Sequence, residues 1–349
     1  MASKIQMNCS IRDMPTPKVS VCVITYNQEK YIRQCLQSIV DQETDFDFEV
    51  IVADDCSKDG TREIVQSFTK KYPAMVRSIY QEKNTGGTKN LIDVYAATRG
   101  QYVAHMDGDD FMLPEKLKTQ ANQLERNPDC SICFHEVKRY DQHSKRYLKF
   151  KPKEIPYKSN LKYLLMNPSY FIPSSKMFRA DCHNGIDLAM DELLDFYFHV
   201  HHALKGKILY LNDVLGVYRV NMGLSVDINN INNPVYKNPN PKMPKLCVDA
   251  IEYARRSGVE EEFIDKSKAK LYFGFSYSYL MARNFPKFKF YIKKSRKTAR
   301  LHKIQYFFRL FSGIPIFLFM LVRLRDGLRV KLYHYSTSAR LYLLNLFDS

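Results

Sequence analysis

The sequence predicts an α/β fold: a mostly parallel, Rossmann-like sheet followed by a helical, basic C-terminal extension. Three observations lead there. Between residues 19 and 135, β-prone runs alternate with stretches of helical period. Polar or acidic clusters stand where several of those runs end. Positive charge gathers at the other end of the chain: residues 283–349 hold 15 Lys or Arg against Asp326 and Asp348, so +13 of the formal +16 lies there.

Val19–Thr25 is an unbroken β-prone run, as a strand covered on both faces requires. A helix follows, with Tyr31, Ile32, Cys35, Leu36, Ile39 and Val40 on one stripe. Residues 49–53 form the second strand and end in Asp54-Asp55. Asp59-Gly60-Thr61 opens a helix that carries Ile64, Val65 and Phe68 on one side. Residues 75–80 read as a third strand, 84–87 as a turn, and the next helix centres on Leu91, Val94 and Tyr95. Residues 101–106 deliver the chain into Asp107-Gly108-Asp109-Asp110. Strand and helix repeated in this way mean parallel pairing with right-handed crossovers. Residues 141–168 loosen into lysines, tyrosines and prolines, the pattern of a loop or lid. A helix over 191–205 and a strand over 207–211 come next. The Asn- and Pro-rich stretch 229–245 reads as a linker between a domain at 1–228 and a helical region at 246–349.

With 349 residues and 45% hydrophobic content the chain can bury a sizeable core. Its eight cysteines offer no disulfide framework and lack the two CxxC pairs of a zinc ribbon, which favours a reduced, cytoplasmic setting. Residues 1–18 carry no signal-peptide pattern. The most apolar stretch, 317–322, falls short of the ~20 residues that a spanning helix needs.

Open parallel sheets bind ligands at the carboxyl ends of their strands. Three clusters stand at those ends: Thr25-Tyr26-Asn27, Asp54-Asp55 and Asp107 to Asp110. Two carboxylates one residue apart suit a hard cation, which takes oxygen ligands from protein, phosphate and water. Gly108 lets the backbone approach closely. The same aspartates also suit an acidic turn in which Asp109 or Asp110 caps the next helix. Asp54-Asp55 is equally a turn with an Asx contact or a hydrogen-bond acceptor for a base or ribose. Residues 84–87 fit a phosphate cradle or a plain turn.

Taken together, VSVCVITYNQEKYIRQCLQSIVDQ, EVIVADDCSKDGT, NTGG and YVAHMDGDDFMLPEKL resemble the family 2 glycosyltransferases of the GT-A fold, of the inverting, bacterial polysaccharide type. The resemblance covers residues 18–225. It implies a nucleotide-sugar donor, UDP-linked by family frequency, contacted by Thr25, Tyr26, Asn27, Asp55, Asn84, Lys89 and Asp107. Within that set it places Tyr26 and Asp55 at the base. Asp107 and Asp109 would hold Mg²⁺ or Mn²⁺ with the diphosphate, Asp107 being shared between ribose and metal. Lys89 stands where many relatives carry Arg. LLDFYFHVHHALKGKILYLNDVLGVYRVNMGLS resembles the acceptor-side block, in which Asp195 takes the place of the general base, with Asp191 and Glu192 as rivals. Read from its residues alone, Asp195 also suits a solvated helix position. Asn221 replaces a His found in many relatives, and His199, His201 and His202 read as helix-surface or packing residues rather than a metal cluster. The implied activity is hexosyl transfer to a glycan or lipid-linked glycan acceptor in polysaccharide or cell-surface glycan synthesis.

The tail interleaves Lys287, Lys289, Lys293, Lys294, Arg296 and Lys297 with Phe288, Phe290, Tyr291 and Ile292, before the apolar stretch 306–322. Such a pattern suits an in-plane segment on an anionic bilayer, at the inner face of the cell membrane. A basic helical bundle or a contact with a second copy in a homo-oligomer are its other readings. No nucleic-acid module is recognisable. Two other functions remain open: a nucleotidyltransferase of similar fold, and a non-catalytic, membrane-bound nucleotide-sugar-binding protein. The first would carry a glycine-rich basic loop where this chain has Thr25-Tyr26-Asn27-Gln28, and the intact acidic set weighs against the second.

Overall fold

The computed structural model describes residues 15–148, 154–167, 171–183, 195–220, 242–301 and 303–334. Four parallel strands carry the frame: β1 (Val19–Thr25), β2 (Phe48–Asp54), β3 (Val76–Tyr80) and β4 (Tyr102–Asp107). The helices between them are α1 (Ile32–Val40), α2 (Thr61–Lys71) and α3 (Gly87–Ala96). β1, β2 and β4 form because their runs of β-branched and apolar residues are covered on both faces, while β3 lies at the sheet edge and is only partly buried. Val19, Val21 and Val23 of β1 and Val50, Ile51 and Val52 of β2 have no accessible surface. Burial of each such side chain is worth about 2 kcal/mol. The stripe Ile32, Cys35, Leu36 and Ile39 closes the core over them.

Beyond β4 the sheet becomes mixed. The chain continues through β5 (Phe111–Met112), α4 (Lys116–Arg126), β6 (Cys130–Asp141), β7 (Arg146–Leu148), β8 (Lys158–Ser159), α5 (Leu161–Met166), a 3₁₀ turn (Pro173–Ser175), β9 (Met177–Arg179), α6 (Asp195–Lys205), β10 (Lys207–Val220) and α7 (Met243–Arg256). The sheet order is β3-β2-β1-β4-β9-β6-β10-β5, with β7 on β6 and β8 on β10. β9 runs antiparallel to both β4 and β6, while β6 and β10 pair in parallel. The stretch expected as a loop from residue 141 thus contributes β7, β8 and α5, whose first turn Asn160 caps through Tyr163 N at 3.0 Å. The strand expected to end at 211 runs on to Val220, bulging at Leu211/Val214 and Val214/Gly216, which carries it past the polar Asn212-Asp213. Cys130 and Cys133 have CxxC spacing on β6, but residues three apart in a strand point to opposite faces. All described cysteines are free thiols.

The amino ends of the strands are fastened by buried charge. Ser20 Oγ donates to Glu49 Oε1 at 2.7 Å, and Arg77 and Arg99 reach Glu49 Oε2 at 3.1 and 3.0 Å. Burial acts to raise the Glu49 carboxyl, but Ser20 and the two guanidiniums bring it below its usual value. Gly100 N donates to Ser20 Oγ at 2.8 Å, an approach that only glycine permits: a Cβ there would lie 2.5 Å from Ser20 N.

The described residues up to 220, together with 246–259, form one compact unit, and those from 260 onward form a second. In the second unit α8 (Glu261–Met281), α9 (Phe285–Thr298), α10 (Lys303–Leu310) and α11 (Pro315–His334) enclose Tyr279, Leu280, Phe288, Ile292, Phe308, Leu318 and Val322. Buried Ser295 ties α9 to α8 by donating to Ala269 O at 2.6 Å, and Gln305 of α10 donates to Ser295 Oγ at 2.8 Å. Among the described residues no helix is long and apolar enough to cross a membrane.

Gly100→Ala should lower unfolding free energy by about 2 kcal/mol, the usual scale of overpacking against fixed backbone. Chemical denaturation checks this; an unchanged midpoint would mean that the β1 edge yields freely.

Candidate active site

The register of the parallel strands sets the site. Thr25 pairs with Asp54, Ile24 with Asp107, and Asp54 with Tyr80, so the strand ends stand in one row. Past that row, the β1 loop is clamped to the β2 loop. Asn27, with a left-handed φ of 52°, donates from its backbone to Ser57 Oγ at 2.9 Å. Its Oδ1 accepts from Lys58 N at 2.8 Å. Thr25 Oγ1 donates to Gln28 Oε1 at 2.8 Å, and Gln28 N donates to Thr61 Oγ1 at 2.7 Å. Thr25 and Asn27 therefore shape the loop, and Tyr26 is left 43% exposed at its tip.

Asp54 and Asp55 are both buried and both occupied. Asp54 takes Arg62 Nε at 2.9 Å. Asp55 accepts from Thr85 N at 2.7 Å, Thr85 Oγ1 at 2.9 Å and Gly86 N at 2.9 Å. Gly86 has φ +85°, a conformation that a side chain would strain. The turn predicted at 84–87 thus exists because Asp55 gathers its amides. Asn84 and Lys89 are exposed, and Lys89 is ion-paired with Asp93 one helical turn on. Such surface pairs are worth only about 0.5 kcal/mol and give way readily to an anion.

At the end of β4, Gly108 is pressed against the β1 loop: a Cβ there would lie 2.4 Å from Gln28 Oε1 and 3.0 Å from Thr25 Cβ. The close approach expected of this glycine is its function. Asp107 is held from two sides, by His105 Nε2 at 3.2 Å and Ser174 Oγ at 3.1 Å. The network assigns a neutral His105: Tyr95 OH donates to Nδ1 at 3.0 Å, and Nε2–H donates to Asp107. Burial lowers the His105 pKa and so favours that form. Burial acts to raise the Asp107 carboxyl, but the His105 hydrogen bond leads in holding it below the usual range.

Asp110 does not cap the next helix. That helix starts after Glu115, without a side-chain cap. Asp110 is instead a buried pin, its Oδ1 accepting from Arg219 N at 2.8 Å and its Oδ2 2.5 Å from Ser174 Oγ. Burial and the neighbouring Asp109 and Asp107 raise its pKa well above normal. The Arg219 guanidinium lies between the rings of Tyr31 and Phe111, 5.1 and 5.0 Å from their centroids, and donates to Asp109 O. Asp109 has its backbone held and its side chain partly exposed, with no hydrogen bond from another described side chain. Burial and the Asp107 charge raise its carboxyl to about 6. Crowded negative charge with accessible oxygens suits one hard divalent cation. Among the described residues no third His, Cys, Asp or Glu joins the pair, so phosphate and water oxygens would complete the shell.

Asp195 opens α6, and Lys176 Nζ donates to its Oδ1 at 2.8 Å. Lys176 is wholly buried, whereas 45% of the Asp195 side chain is accessible. Burial acts to raise the Asp195 carboxyl, but Lys176 holds it far below the usual carboxylate range. His199, His201 and His202 are all buried. His201 bonds Tyr253 OH at 2.9 Å and Cys182 O at 3.1 Å, and His202 bonds Phe198 O at 2.9 Å. His199 packs edge-on to Phe134, and burial lowers it to about 3. Of the two readings the sequence allowed, helix-surface or packing, burial selects packing. Asp191, Glu192 and Asn221 lie outside the described residues. Sequence reasoning missed Ser174 and Lys176, although a lysine beside the apolar pair Met177-Phe178 was a signal. It assigned no role to Arg219.

Because Lys176 is buried and Asp195 is not, the two halves of their ion pair are unequal. Asp195→Asn should cost about 3 kcal/mol by stranding a buried ammonium. Lys176→Met, which leaves a hydrated carboxylate, should cost less. Denaturation of both variants checks this, and the reverse order would overturn it.

The family model for glycosyl transferase family 2 matches residues 20–186. An uncharacterised protein of Mycobacterium tuberculosis is 34% identical over 203 residues, 58% of this chain and 58% of its own. The chain thus matches little more than half the length of that relative. The poly(ribitol-phosphate) β-N-acetylglucosaminyltransferase TarS of Staphylococcus aureus is 41% identical over 108 residues, 30% of this chain and 18% of TarS. The crystal structure of TarS residues 1–349 with UDP-GlcNAc superposes at a TM-score of 0.58, with 22% identity, covering 81% of this chain and 82% of that one. The Pyrobaculum calidifontis mannosyltransferase PcManGT, solved with GDP-Man and Mn²⁺, superposes at 0.54 with 17% identity over 86% of each chain. The fold is that of the GT-A glycosyltransferases, and residues 20–186, just under half of the chain, match the model of glycosyl transferase family 2.

Proposed function

We propose that this protein is an inverting, divalent-metal-dependent hexosyltransferase that moves a sugar from a nucleotide-sugar donor to a hydroxyl of a glycan or lipid-linked glycan. One observation carries the reading: the registered row of strand ends leaves Tyr26 and Asp109 accessible while every neighbouring carboxylate is tied down. UDP is the first nucleotide to test, since the TarS structures include UDP and UDP-GlcNAc complexes. GDP, the nucleotide bound to PcManGT, is the second.

In this reading Tyr26 stacks on the base, and Asp55 acts through the Asn84–Gly87 turn, whose amides it arranges. Asn84 and Lys89 border the diphosphate. Asp107 and Asp109 would hold Mg²⁺ or Mn²⁺, which would supply positive charge for the departing diphosphate. Asp195 Oδ2 takes the proton of the acceptor hydroxyl as that oxygen bonds the anomeric carbon; the carbon–phosphate-oxygen bond breaks, and its electron pair leaves with the nucleoside diphosphate.

The second unit supplies a place for the acceptor's membrane. From Asp265 to Asp326 there is no acidic residue, against 15 Lys or Arg between them. Ile304, Phe307 and Leu310 are exposed at spacings of three along α10, and Phe317, Leu321 and Leu324 at four and three along α11, so each helix carries an exposed apolar face. Apolar faces flanked by cations fit the surface of an anionic bilayer, on the cytoplasmic side.

Transfer from a nucleotide-sugar panel should require Mn²⁺ or Mg²⁺, and Asp109→Ala should lower it by about 100-fold or more. Unaltered turnover in that variant would sink the metal reading, and incorporation of nucleotide rather than sugar would favour the nucleotidyltransferase. Since the Asp109 carboxyl is raised to about 6, it is charged above that pH and neutral below. Mn²⁺ affinity at low metal should therefore climb as pH rises through about 6, and Asp109→Asn should flatten the climb. Vesicles containing anionic lipid should bind the full chain, and Leu310→Asp with Phe317→Asp should weaken binding about tenfold or more, from the loss of about 1.5–3 kcal/mol per buried side chain. Equal binding by neutral vesicles would remove the electrostatic part of the reading.

A further inference from the structure

A wholly buried lysine stands against the proposed base, and the backbone that carries it also carries the serine that holds the strand-end aspartates. Residues Pro173-Ser174-Ser175 make a single 3₁₀ turn that ends at Lys176. The turn is fixed at several points. Lys176 N donates to Pro173 O at 3.1 Å, and Lys176 O accepts from His105 N of β4 at 3.1 Å. Lys116 Nζ donates to Ser174 O at 2.6 Å, and Gln120 Nε2 to Ser175 O at 2.9 Å. From this base Ser174 Oγ meets Asp107 and Asp110 at 3.1 and 2.5 Å, and Lys176 reaches Asp195.

The Lys176 ammonium also lies 4.8 Å from the centroid of the Phe198 ring. A buried ammonium needs a counter-charge, and that need ties Asp195 Oδ1 to one place. Among the described residues Asp195 makes no other side-chain hydrogen bond, so Oδ2 is the oxygen that Lys176 does not hold, on a side chain that is 45% accessible. Free of the lysine, a carboxylate on the first turn of a helix samples several rotamers, each presenting a different oxygen.

We infer that Lys176 is a positioning residue: it clamps Asp195 Oδ1 so that Oδ2 meets the acceptor hydroxyl, and the Pro173–Lys176 turn sets the base at a fixed distance from the donor-side aspartates. The inference rests on the reading of Asp195 as the base. The clamp has a chemical consequence. The charged and titratable groups around the pair are His105 and Asp107 of β4, Tyr95 of α3, His183 ahead of α6 and His199 on it. Burial lowers all three of those histidines, so in the neutral range Lys176 is the cation against Asp195 and the base stays ionised in acid.

The test compares Lys176→Met, Lys176→Gln and Lys176→Arg in the full chain, with kcat, donor and acceptor KM, nucleotide affinity and the pH profile of kcat. Removal of the ammonium should lower kcat by about 100-fold, the scale of a misplaced catalytic group, with donor KM and nucleotide affinity unchanged. It should also move the acid limb of kcat upward, because the ammonium that holds the Asp195 carboxyl low is then gone. Lys176→Arg should restore both the rate, to within about tenfold, and the acid limb. Two results would overturn the clamp: kcat and acid limb of wild type in the Met or Gln variant, or a fall in nucleotide affinity that accounts for the whole loss. Lys176→Gln keeps the test open where Met does not fold. Asp195→Asn separates the two readings. Full turnover there removes the base itself, whereas an inactive Asp195→Asn beside a fully active Lys176→Met removes only the clamp.

Discussion

Negative charge brought to the end of a buried sheet is the constraint around which the rest of the site is arranged. Asp54, Asp55, Asp107, Asp109 and Asp110 all lie at or just beyond the strand ends, and Asp195 faces them across the 3₁₀ turn. A carboxylate taken out of water must be paired, hydrogen-bonded or neutralised. Each aspartate here meets that demand differently. Asp54 has a guanidinium, Asp55 two amides and a hydroxyl, Asp107 a neutral imidazole and Asp110 an amide, with the single Ser174 hydroxyl standing between the last two. Asp109 alone keeps its demand unmet, which leaves it raised to about 6 and open to a cation.

The fold outside the site follows from supplying those partners. Arg219 comes from β10, far along the chain, and its position between Tyr31 and Phe111 is what holds the Asp109 carbonyl. The register irregularities of β10 lie just before that residue. β9 is only three residues long, yet by pairing antiparallel with β4 and β6 it brings Ser174 and Lys176 beside the aspartates. The mixed sheet is therefore not a departure from the parallel plan so much as its completion: parallel strands deliver the acids, and an antiparallel insertion delivers their partners.

At the opposite end of the strands, Glu49 with Arg77 and Arg99 solves the same problem with full charge compensation and no opening. The contrast separates a structural charge cluster from a candidate catalytic one within a single sheet. Both contain buried carboxylates. Only the carboxyl-end cluster retains accessible oxygens and a carboxyl raised toward neutrality.

The sequence by itself determined the strand–helix alternation, the four parallel strands and the acidic residues at their ends, because covered strands and amphipathic helices write period and polarity directly into the residues. It also pointed to a close approach at Gly108, and it read the histidines of α6 as surface or packing residues, a choice that burial made. Tertiary structure alone decided which acids are committed. Asp54 and Asp55 look alike in the sequence, yet one takes a guanidinium and the other a turn of backbone amides. Asp110, which by spacing could cap a helix, is pinned instead by Ser174 and Arg219. Asp195 reads as a solvated helix residue or a base until buried Lys176 is found beside it. Apart from Arg62, eight residues from Asp54, these partners lie 19 to 109 residues away in the chain. Local periodicity carries no record of such distances; they are set only when the sheet closes and the charges must find one another.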